Sequence, residues 1–269
     1  MCWPESRAKT VLPRLRAFGL PLALLAAGAG HIQAQAQDLT QTQTQGMEAA
    51  RAAWAEGDFQ SAAELAGGLG TADGHALAAE SLGIIGYFSA TGDEQAALYA
   101  ESVRQAEAAL ALAPESVYAT LQLAQAIGRV AETASVRETI DKGYARRTRD
   151  LLEAAAALDP ESALAHSGIA LWHARALDEG GLVARVMFGA SRRDALEHAE
   201  LAIELAIENR AGVKRALHDA ASALLILSEQ RHGERARELL REAREIPSLD
   251  ALDDFVQQRI EDLLAQLDT

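Results

Sequence analysis

Histidines are the residues of this chain whose type and spacing come closest to metal chemistry. His166 and His173 stand seven residues apart, so on a helix they share a face but are separated by roughly 10 Å along its axis. Two ligands of one zinc ion must each lie about 2 Å from the metal, which this spacing does not allow. His198 and His218 belong to different predicted helices, and no spacing indicates that they meet. We therefore expect no metal site.

The sequence likewise gives no clear indication of a phosphate-binding, acid–base or nucleophilic site. The glycines at 67–70 lack the Lys and Ser or Thr of a phosphate-binding loop and are typical of a helix end. The neighbouring carboxylates Asp178-Glu179 and Asp253-Asp254 would point about 100° apart on a helix, so adjacency does not make them an acid–base pair. We expect no catalytic residue and no cofactor. An enzyme remains the third hypothesis, with no nominated residues.

The first 36 residues predict a secretory signal peptide. Four basic residues precede an apolar stretch at 17–30 that is too short to span a bilayer comfortably, and Ala34-Gln35-Ala36 supplies a cleavage site. An uncleaved anchor is the alternative. Cys2 is the chain's single cysteine, so the mature protein contains no thiol, which suits an oxidising compartment. We expect a periplasmic or secreted protein of a Gram-negative bacterium.

The chain after residue 36 is predicted to be a Gln-rich flexible spacer at 37–46, followed by one domain at 47–269. Removal of the leader, which has four basic residues and one acid, changes the net charge from −14 to −17. Such an acidic surface repels nucleic acid and anionic lipid. We therefore expect no nucleic-acid partner and membrane contact only through the signal peptide before its cleavage.

A short pattern recurs along the predicted domain: small and apolar residues three apart, then Pro or a substitute. Steps of three place these residues on one helical face, and Pro just beyond ends the helix. The central alanines follow each other at intervals of 46, 47 and 41 residues. The four copies are 106–114, 152–160, 199–207 and 240–247.

Each copy is followed by the start of another amphipathic segment. Ser116 and Ser162 are predicted N-caps of helices at 117–127 and 163–173, and a third such helix is expected at 212–227. A weaker N-terminal copy has a Gly-Asp-Phe turn at 57–59. The chain is therefore predicted to be an all-α array of antiparallel helix hairpins.

The runs ArgAlaAlaTrp (51–54), GlyAspPheGlnSerAla (57–62) and AlaLeuAspProGluSerAlaLeuAlaHis (157–166) resemble tetratricopeptide (TPR) repeats over about residues 47–247. The resemblance implies a right-handed superhelix, or α-solenoid, of about five hairpins. The last segment, 249–267, has its apolar residues on one stripe and is expected to be a capping helix.

A narrower resemblance concerns residues 168–205 with GlyLeuValAlaArgValMetPheGlyAla at 181–190. This stretch resembles the regulator-of-microtubule-dynamics-like proteins and their bacterial relatives, and is also similar to periplasmic T-component proteins of TRAP transporters. The eukaryotic microtubule role is not expected of an exported bacterial chain. The long repeat period, with insertions at 128–143 and 174–193, leaves HEAT or armadillo-type repeats as an alternative fold.

The concave groove implied by the TPR resemblance is lined by the first helix of each hairpin. Arg129, Arg175 and Lys214 could clamp a carboxylate there, or could be ordinary surface charges. Trp54 and Trp172 are expected in the hairpin core. The groove residues expected in full are Tyr118, Leu121, Gln125, Arg129, Leu164, Ser167, Leu171, Arg175, Lys214 and His218.

The 174–193 insertion contains an apolar cluster that includes Met187 and Phe188, with Arg185 among it. It could be a lid over the groove or a docking helix, or could fold back as packing. The leading hypothesis is a non-enzymatic periplasmic TPR-type scaffold that binds a protein or peptide in its groove. The second hypothesis is a carrier of a small apolar or anionic ligand associated with a solute transporter.

Overall fold

The computed structural model of the chain describes residues 22–209 and 212–268. The chain divides into two compact units, residues 1–42 and residues 43–269. In the first unit, residues 22–42 are helical, and the first 21 residues of the predicted signal peptide lie outside the described residues. Among the helices described, none is sufficiently long and apolar to cross a membrane.

The described residues form helices and no strand. In chain order the helices are α1 (Leu22–Ala55), α2 (Phe59–Gly67), α3 (Ala72–Phe88), α4 (Gly92–Leu112), α5 (Val117–Thr133), α6 (Val136–Lys142), α7 (Tyr144–Leu158), α8 (Ala163–Phe188), α9 (Arg192–Asn209), α10 (Val213–Glu245) and α11 (Ala251–Leu267). The prediction of an all-α array is confirmed.

The expected flexible spacer at 37–46 is instead helical and lies within α1. Gln, a good helix former, alternates with Thr in this stretch, and no Gly or Pro interrupts it before Gly46, so its composition does not prevent a helix. The helix then continues to Ala55, where Ala50 packs with Ala66 and Leu77.

Five hairpins make up residues 43–245. The first helices of the second, third and fourth hairpins are α3, α5 and α8, which pair with α4, α7 and α9. The fifth hairpin lies within α10, where Ser228 has an extended backbone (φ −179°, ψ 106°) between two helical halves. The helix expected at 212–227 therefore ends at the expected place, although no separate loop follows it.

Sequence signals for the helix ends are realised as hydrogen bonds. Ser116 Oγ accepts from the Ala119 N–H at 3.2 Å, and Ser162 Oγ accepts from the Ala165 N–H at 3.3 Å. These contacts satisfy backbone donors that the first turn of a helix leaves free. Both predicted N-caps are confirmed.

Small side chains fill the seams between the helices. Ala106 and Ala109 of α4, Ala155 of α7 and Ala199 and Ala202 of α9 are each completely buried. These are the alanines of the recurring pattern, so the pattern marks the face of each second helix that packs against its partners. Side chains this short let neighbouring helices approach closely.

The two insertions are helical extensions. The first comprises the end of α5 and the short α6, and the second continues α8 beyond the groove-facing turns. Gly181 breaks α8 (φ 49°, ψ −123°), a conformation in the left-handed half of the map that favours glycine. Residues 182–188 form a final helical segment of α8 after this break.

Replacement of Gly86 by Ala should destabilise the fold. A Cβ at Gly86 would lie 2.6 Å from Cε1 of Tyr99, a ring that is 2% exposed and cannot move aside. We expect the free energy of unfolding to fall by about 1–3 kcal/mol. Urea denaturation followed by circular dichroism measures this loss.

Gly83→Ala is the matched control on the same helix. Its added Cβ would meet Ser102 Oγ at 3.6 Å, an ordinary contact, and Ala favours helix over Gly by roughly 1 kcal/mol. A Gly86→Ala protein as stable as Gly83→Ala would contradict the close α3–α4 seam.

Candidate binding surface on the inner face

The first helices of the hairpins lie side by side. Ala79 of α3 packs with Leu123 of α5, and Ala124 of α5 shares a cluster with Ile169 of α8. Further along, α8 packs against α10. We call the side of α3, α5, α8 and α10 that faces away from α4, α7 and α9 the inner face. It corresponds to the expected groove.

Helix α11 lies across the inner face. Val256, Ile260 and Leu264 are buried against α10, as expected for a capping helix. Phe255 differs: its ring stacks on Phe88 of α3 with centroids 4.4 Å apart, and its centroid is 6.1 Å from that of Phe59 on α2. The capping helix therefore also contacts the N-terminal hairpins, and it occupies part of the expected groove.

Polar contacts hold the start of α11 against α10. The guanidinium of Arg215 contacts Asp250 (Nη2–Oδ2 3.2 Å) and Asp253 (Nε–Oδ1 3.3 Å). Lys214 Nζ donates to Ser248 Oγ and Gln257 Oε1, each at 2.9 Å. Lys214 is only 2% exposed, and these two hydrogen bonds offset part of the cost of burying its charge.

A carboxyl group of α3 lies at the centre of the inner face. Tyr118 Oη donates to Glu80 Oε2 at 2.6 Å. Burial raises the pKa of Glu80, while hydrogen bonds from Tyr118 and Gln122 and the charge of Arg215 oppose that rise. Burial and the adjacent Glu80 also raise the pKa of Tyr118. The inner face thus has an acidic centre whose groups are already paired.

Arginines gather at the other end of the inner face around one aromatic ring. The guanidinium carbon of Arg129 lies 3.6 Å from the centroid of Tyr87, and that of Arg259 lies 4.8 Å from it. Glu132 forms ion pairs with Arg129, at 3.1 Å, and with Arg175. We call Tyr87, Arg129, Glu132, Arg175 and Arg259 the arginine cluster.

The arginine cluster has more positive than negative charge. Arg129 and Arg175 share the single carboxylate of Glu132, and no other acid of the described residues pairs with either of them. Arg259 is exposed, and among the described residues its guanidinium lies over the rings of Tyr87 and Phe88. Such a cluster can bind a carboxylate or phosphate through paired N–H donors.

The expected groove residues are thus divided among several environments. Arg129 and Arg175 are brought together, as the groove hypothesis required. Ser167 is fully buried and donates to Leu164 O of its own helix at 3.2 Å, so it faces no ligand space. Leu121 is buried, and Leu164 and Leu171 are partly buried in the core.

The remaining expected groove residues do not join the arginine cluster. Gln125 is exposed, and His218 Nδ1 lies 2.9 Å from Asp219 Oδ1 on its own helix. Lys214 and Tyr118 have internal partners, as described above. Tyr87 and Arg259 were not predicted, because their partners come from other hairpins, and the aromatic pair that ends α3 was the available signal for Tyr87. Glu132 was not predicted either, although it follows Arg129 by three residues on α5, a spacing that indicates an ion pair.

The predicted lid residues lie on the last segment of α8. Arg185 and Met187 are exposed, and Phe188 is half-buried, with its carbonyl oxygen accepting from Arg149 Nη1 at 2.5 Å. Trp172 also packs at this end, where its Nε1–H donates to Ala145 O at 3.0 Å. The hydrogen bonds of Phe188 and Trp172 join α8 to α7 rather than to any residue of the arginine cluster.

Two histidines that the spacing did not pair are in contact. His166 and His198 have Nδ1 atoms 2.9 Å apart and stacked rings, and His166 Nε2 lies 3.0 Å from Pro160 O. A carbonyl only accepts, so Nε2 of His166 donates to Pro160 O, whereas the donor in the His166–His198 contact depends on the tautomers of the two rings. The described residues contain no group of three or more side chains that could hold a metal ion.

Comparisons with known proteins agree with this architecture. The family model described as "Regulator of microtubule dynamics protein 1-3" matches residues 76–268, a range that begins in α3 and includes α11. The crystal structure of a thermophilic TPR protein from Thermus thermophilus superposes with a TM-score of 0.59. The match covers 83% of this chain and 99% of that chain at 16% identity. No curated protein matches.

Because the two sequences are only 16% identical, the structural match supports the fold and nothing further. It confirms the predicted TPR-type α-solenoid rather than the alternative of HEAT or armadillo-type repeats. The family match confirms the predicted resemblance to the regulator-of-microtubule-dynamics-like proteins. The resemblance to T-component proteins of TRAP transporters stays a prediction.

Acidification should destabilise the α8–α9 hairpin through His173. Burial lowers the pKa of His173 from its ordinary 6.5 to about 4, with His198 and Arg149 acting in the same direction and Asp194 opposing. Between those pH values the unfolded chain binds a proton that the folded protein does not. The free energy of unfolding therefore falls as pH decreases from 6.5 towards 4.

Urea denaturation at several pH values measures this dependence, and His173→Asn isolates it. The Asn oxygen can replace Nδ1 as the acceptor of the Ser191 N–H, yet it does not titrate. We expect the unfolding free energy of the variant to change less steeply with pH in this window, with a slope smaller by the equivalent of up to about one bound proton. Parallel stability curves for the two proteins would contradict the assignment.

Proposed function

Because the chain belongs to the regulator of microtubule dynamics protein 1-3 family and has the TPR fold, we propose that it is a non-enzymatic scaffold for a protein or peptide partner. The partner binds on the inner face. The microtubule role in the family's name is not part of the proposal, because the N-terminal 36 residues predict export from a bacterial cytoplasm.

The arginine cluster is the observation that supports this proposal most directly. An acidic chain of net charge −14 concentrates three guanidinium groups around Glu132 and Tyr87. A peptide carboxylate, from an acidic side chain or a C-terminus, would take paired hydrogen bonds from Arg175 and Arg259 while its neighbouring residues pack on Phe88 and Phe255. Hydrogen bonds to charged groups contribute about 1.5–3 kcal/mol each.

Helix α11 defines how much of the inner face a partner can use. The centre is filled by Glu80, Tyr118 and Arg215 under the start of α11. The partner therefore binds at the end formed by α3, α5 and the middle of α11, rather than along the whole inner face. This is a smaller site than the groove expected from the sequence.

Removal of two guanidinium groups should weaken partner capture. Arg175→Gln with Arg259→Gln leaves Arg129 to pair with Glu132, so the cluster keeps its packing but loses its excess charge. In capture from periplasmic extract, followed by titration of a peptide from the identified partner, we expect binding at least about tenfold weaker, equivalent to about 1.4 kcal/mol.

Arg137→Gln is the control for this experiment, because its side chain is 91% exposed on α6 and pairs only with Asp141 among the described residues. It should bind as the wild type does. Equal capture by the double variant would exclude the arginine cluster as the binding site.

A small anionic ligand is the second candidate, because the same excess charge next to aromatic rings suits it as well as a peptide. This would make the protein a carrier associated with a solute transporter. Native mass spectrometry of the protein from its own host separates the two: a co-purified small molecule that disappears in the double variant supports the carrier.

We further propose that the protein is exported to the periplasm and cleaved near Ala36. The basic n-region, the apolar stretch at 17–30 and the small residues at 34–36 support this. Expression in a Gram-negative host should yield a periplasmic product whose N-terminus lies near Gln37. A product that retains residues 1–36 in the membrane fraction would instead indicate an uncleaved anchor.

A further inference from the structure

A pair of histidines lies in the seam between α8 and α9. His166 of α8 is 6% exposed and His198 of α9 is partly buried, and their Nδ1 atoms are 2.9 Å apart. The rings are inclined by 18°, with centroids 5.0 Å apart. At this separation the two nitrogens form a hydrogen bond, which needs a single proton between them.

This need limits the charge that the pair can carry. With both rings neutral, one Nδ1 donates to the lone pair of the other. With one ring charged, a single proton still lies between the two nitrogens, and the hydrogen bond becomes charge-assisted. With both rings charged, each Nδ1 carries a proton and neither can accept. The contact therefore persists with one added proton and is lost with two.

The other nitrogen of His166 confines this effect to the seam. Nε2 donates to Pro160 O, 3.0 Å away in the loop before α8. A charged imidazolium also carries a proton on Nε2, so this hydrogen bond survives when the ring becomes charged. Loss of the Nδ1 contact therefore releases α9 from the start of α8 and leaves the loop attached to α8.

The apolar side chains of the seam oppose such a separation only weakly. Ala163 and Ala170 of α8 belong to the same buried cluster as Ala195 and Ala199 of α9. Side chains this short each bury little apolar surface. A second positive charge beside a position as buried as His166 is costly unless an acceptor takes its proton.

Two acids on α9 act on the pair. Burial, and after it the neighbouring His166, lower the pKa of His198, whereas Asp194 and Glu197 oppose that lowering. Asp194 also pairs with Arg193, Nε to Oδ1 3.1 Å. These acids favour the first proton on the pair, but they provide no acceptor between the two Nδ1 atoms.

The other elements around the pair hold their charged groups on partners of their own. Within α8, the Nδ1 of His173 accepts from the Ser191 N–H. These further groups are Arg149 of α7, paired with Asp150 and Glu153, Asp159 of the loop, which accepts from the Glu161 N–H, and Lys214, Arg215 and His218 of α10, which contact Ser248 and Gln257, Asp250 and Asp253, and Asp219.

We propose that His166 and His198 form a pH-sensitive latch, which holds α8 against α9 until a second proton binds the pair and opens this seam. Because the pKa of His198 lies below its ordinary 6.5, the opening occurs on the acid side of that value. The latch is closed above this range and is lost as pH falls. The proposal does not depend on the arginine cluster, and it adds a local opening to the loss of global stability expected from His173.

Hydrogen exchange of the full chain, measured by mass spectrometry at about pH 7 and about pH 5 and corrected for the intrinsic exchange rates, tests the latch. In the wild type we expect residues 163–170 and 195–203 to lose protection by at least about tenfold at the lower pH. His198→Asn should keep its protection within about twofold, because the amide can turn to donate to His166 Nδ1 or to accept from it and does not titrate.

Two further variants identify the histidine that is responsible. His75→Asn is the matched control, because the Nδ1 of His75 faces Gln105 Oε1 on α4, which does not titrate, and it should lose protection as the wild type does. His173→Asn should also lose it. Circular dichroism checks that each variant is folded, and His198→Gln replaces His198→Asn if that variant is not. Constant protection in the wild type, an equal loss in the variant at 198, or a loss abolished by His173→Asn would overturn the proposal.

Discussion

Close approach between helices is the constraint on which the rest of this structure depends. The seams of the array are filled by alanine and glycine, and Ala106, Ala155 and Ala202 are completely buried where each second helix meets its neighbours. Small side chains bring helices near one another and leave their larger neighbours to fill the flanks. The positions of the inner-face side chains follow from this spacing, because every one of them is carried by a helix that is held at such a seam.

The regular part of this arrangement could be read from the sequence because it is local. The repeated Ala positions, the serine N-caps and the Pro that follows a helix all act within one or two turns, and each has the predicted role. The breaks in regularity could not be read in the same way. Ser228 replaces a whole loop with one extended residue, and residues 37–46 continue a helix that their composition neither required nor forbade.

The candidate site was only partly predictable, for a related physical reason. Arg129 and Arg175 lie on the expected face of their helices, and a 46-residue spacing indicates that much. Their environment depends on Glu132, Tyr87 and Arg259, which come from α5, α3 and α11. A pattern within one helix contains no information on which side chain of a distant helix will be opposite it. Lys214 shows the converse case. It was predicted to bind a ligand, but its ammonium group is buried and donates to two oxygens of the α10–α11 region.

The contact of Phe255 with Phe59 and Phe88 changes the mechanics of the array. In a solenoid, each repeat contacts only its neighbours, so the terminal repeats can unfold locally and the array can bend along its length. Here a helix from the end of the chain lies against the first hairpins, and Ala251 approaches so near that a Cβ at Gly57 would be 3.2 Å from its own. The first and last repeats are braced against each other. Separation of α11 from the first hairpins would therefore break the contacts of Phe255 and Ala251, so the two ends of the array are coupled in a way that neighbour-only stacking does not provide.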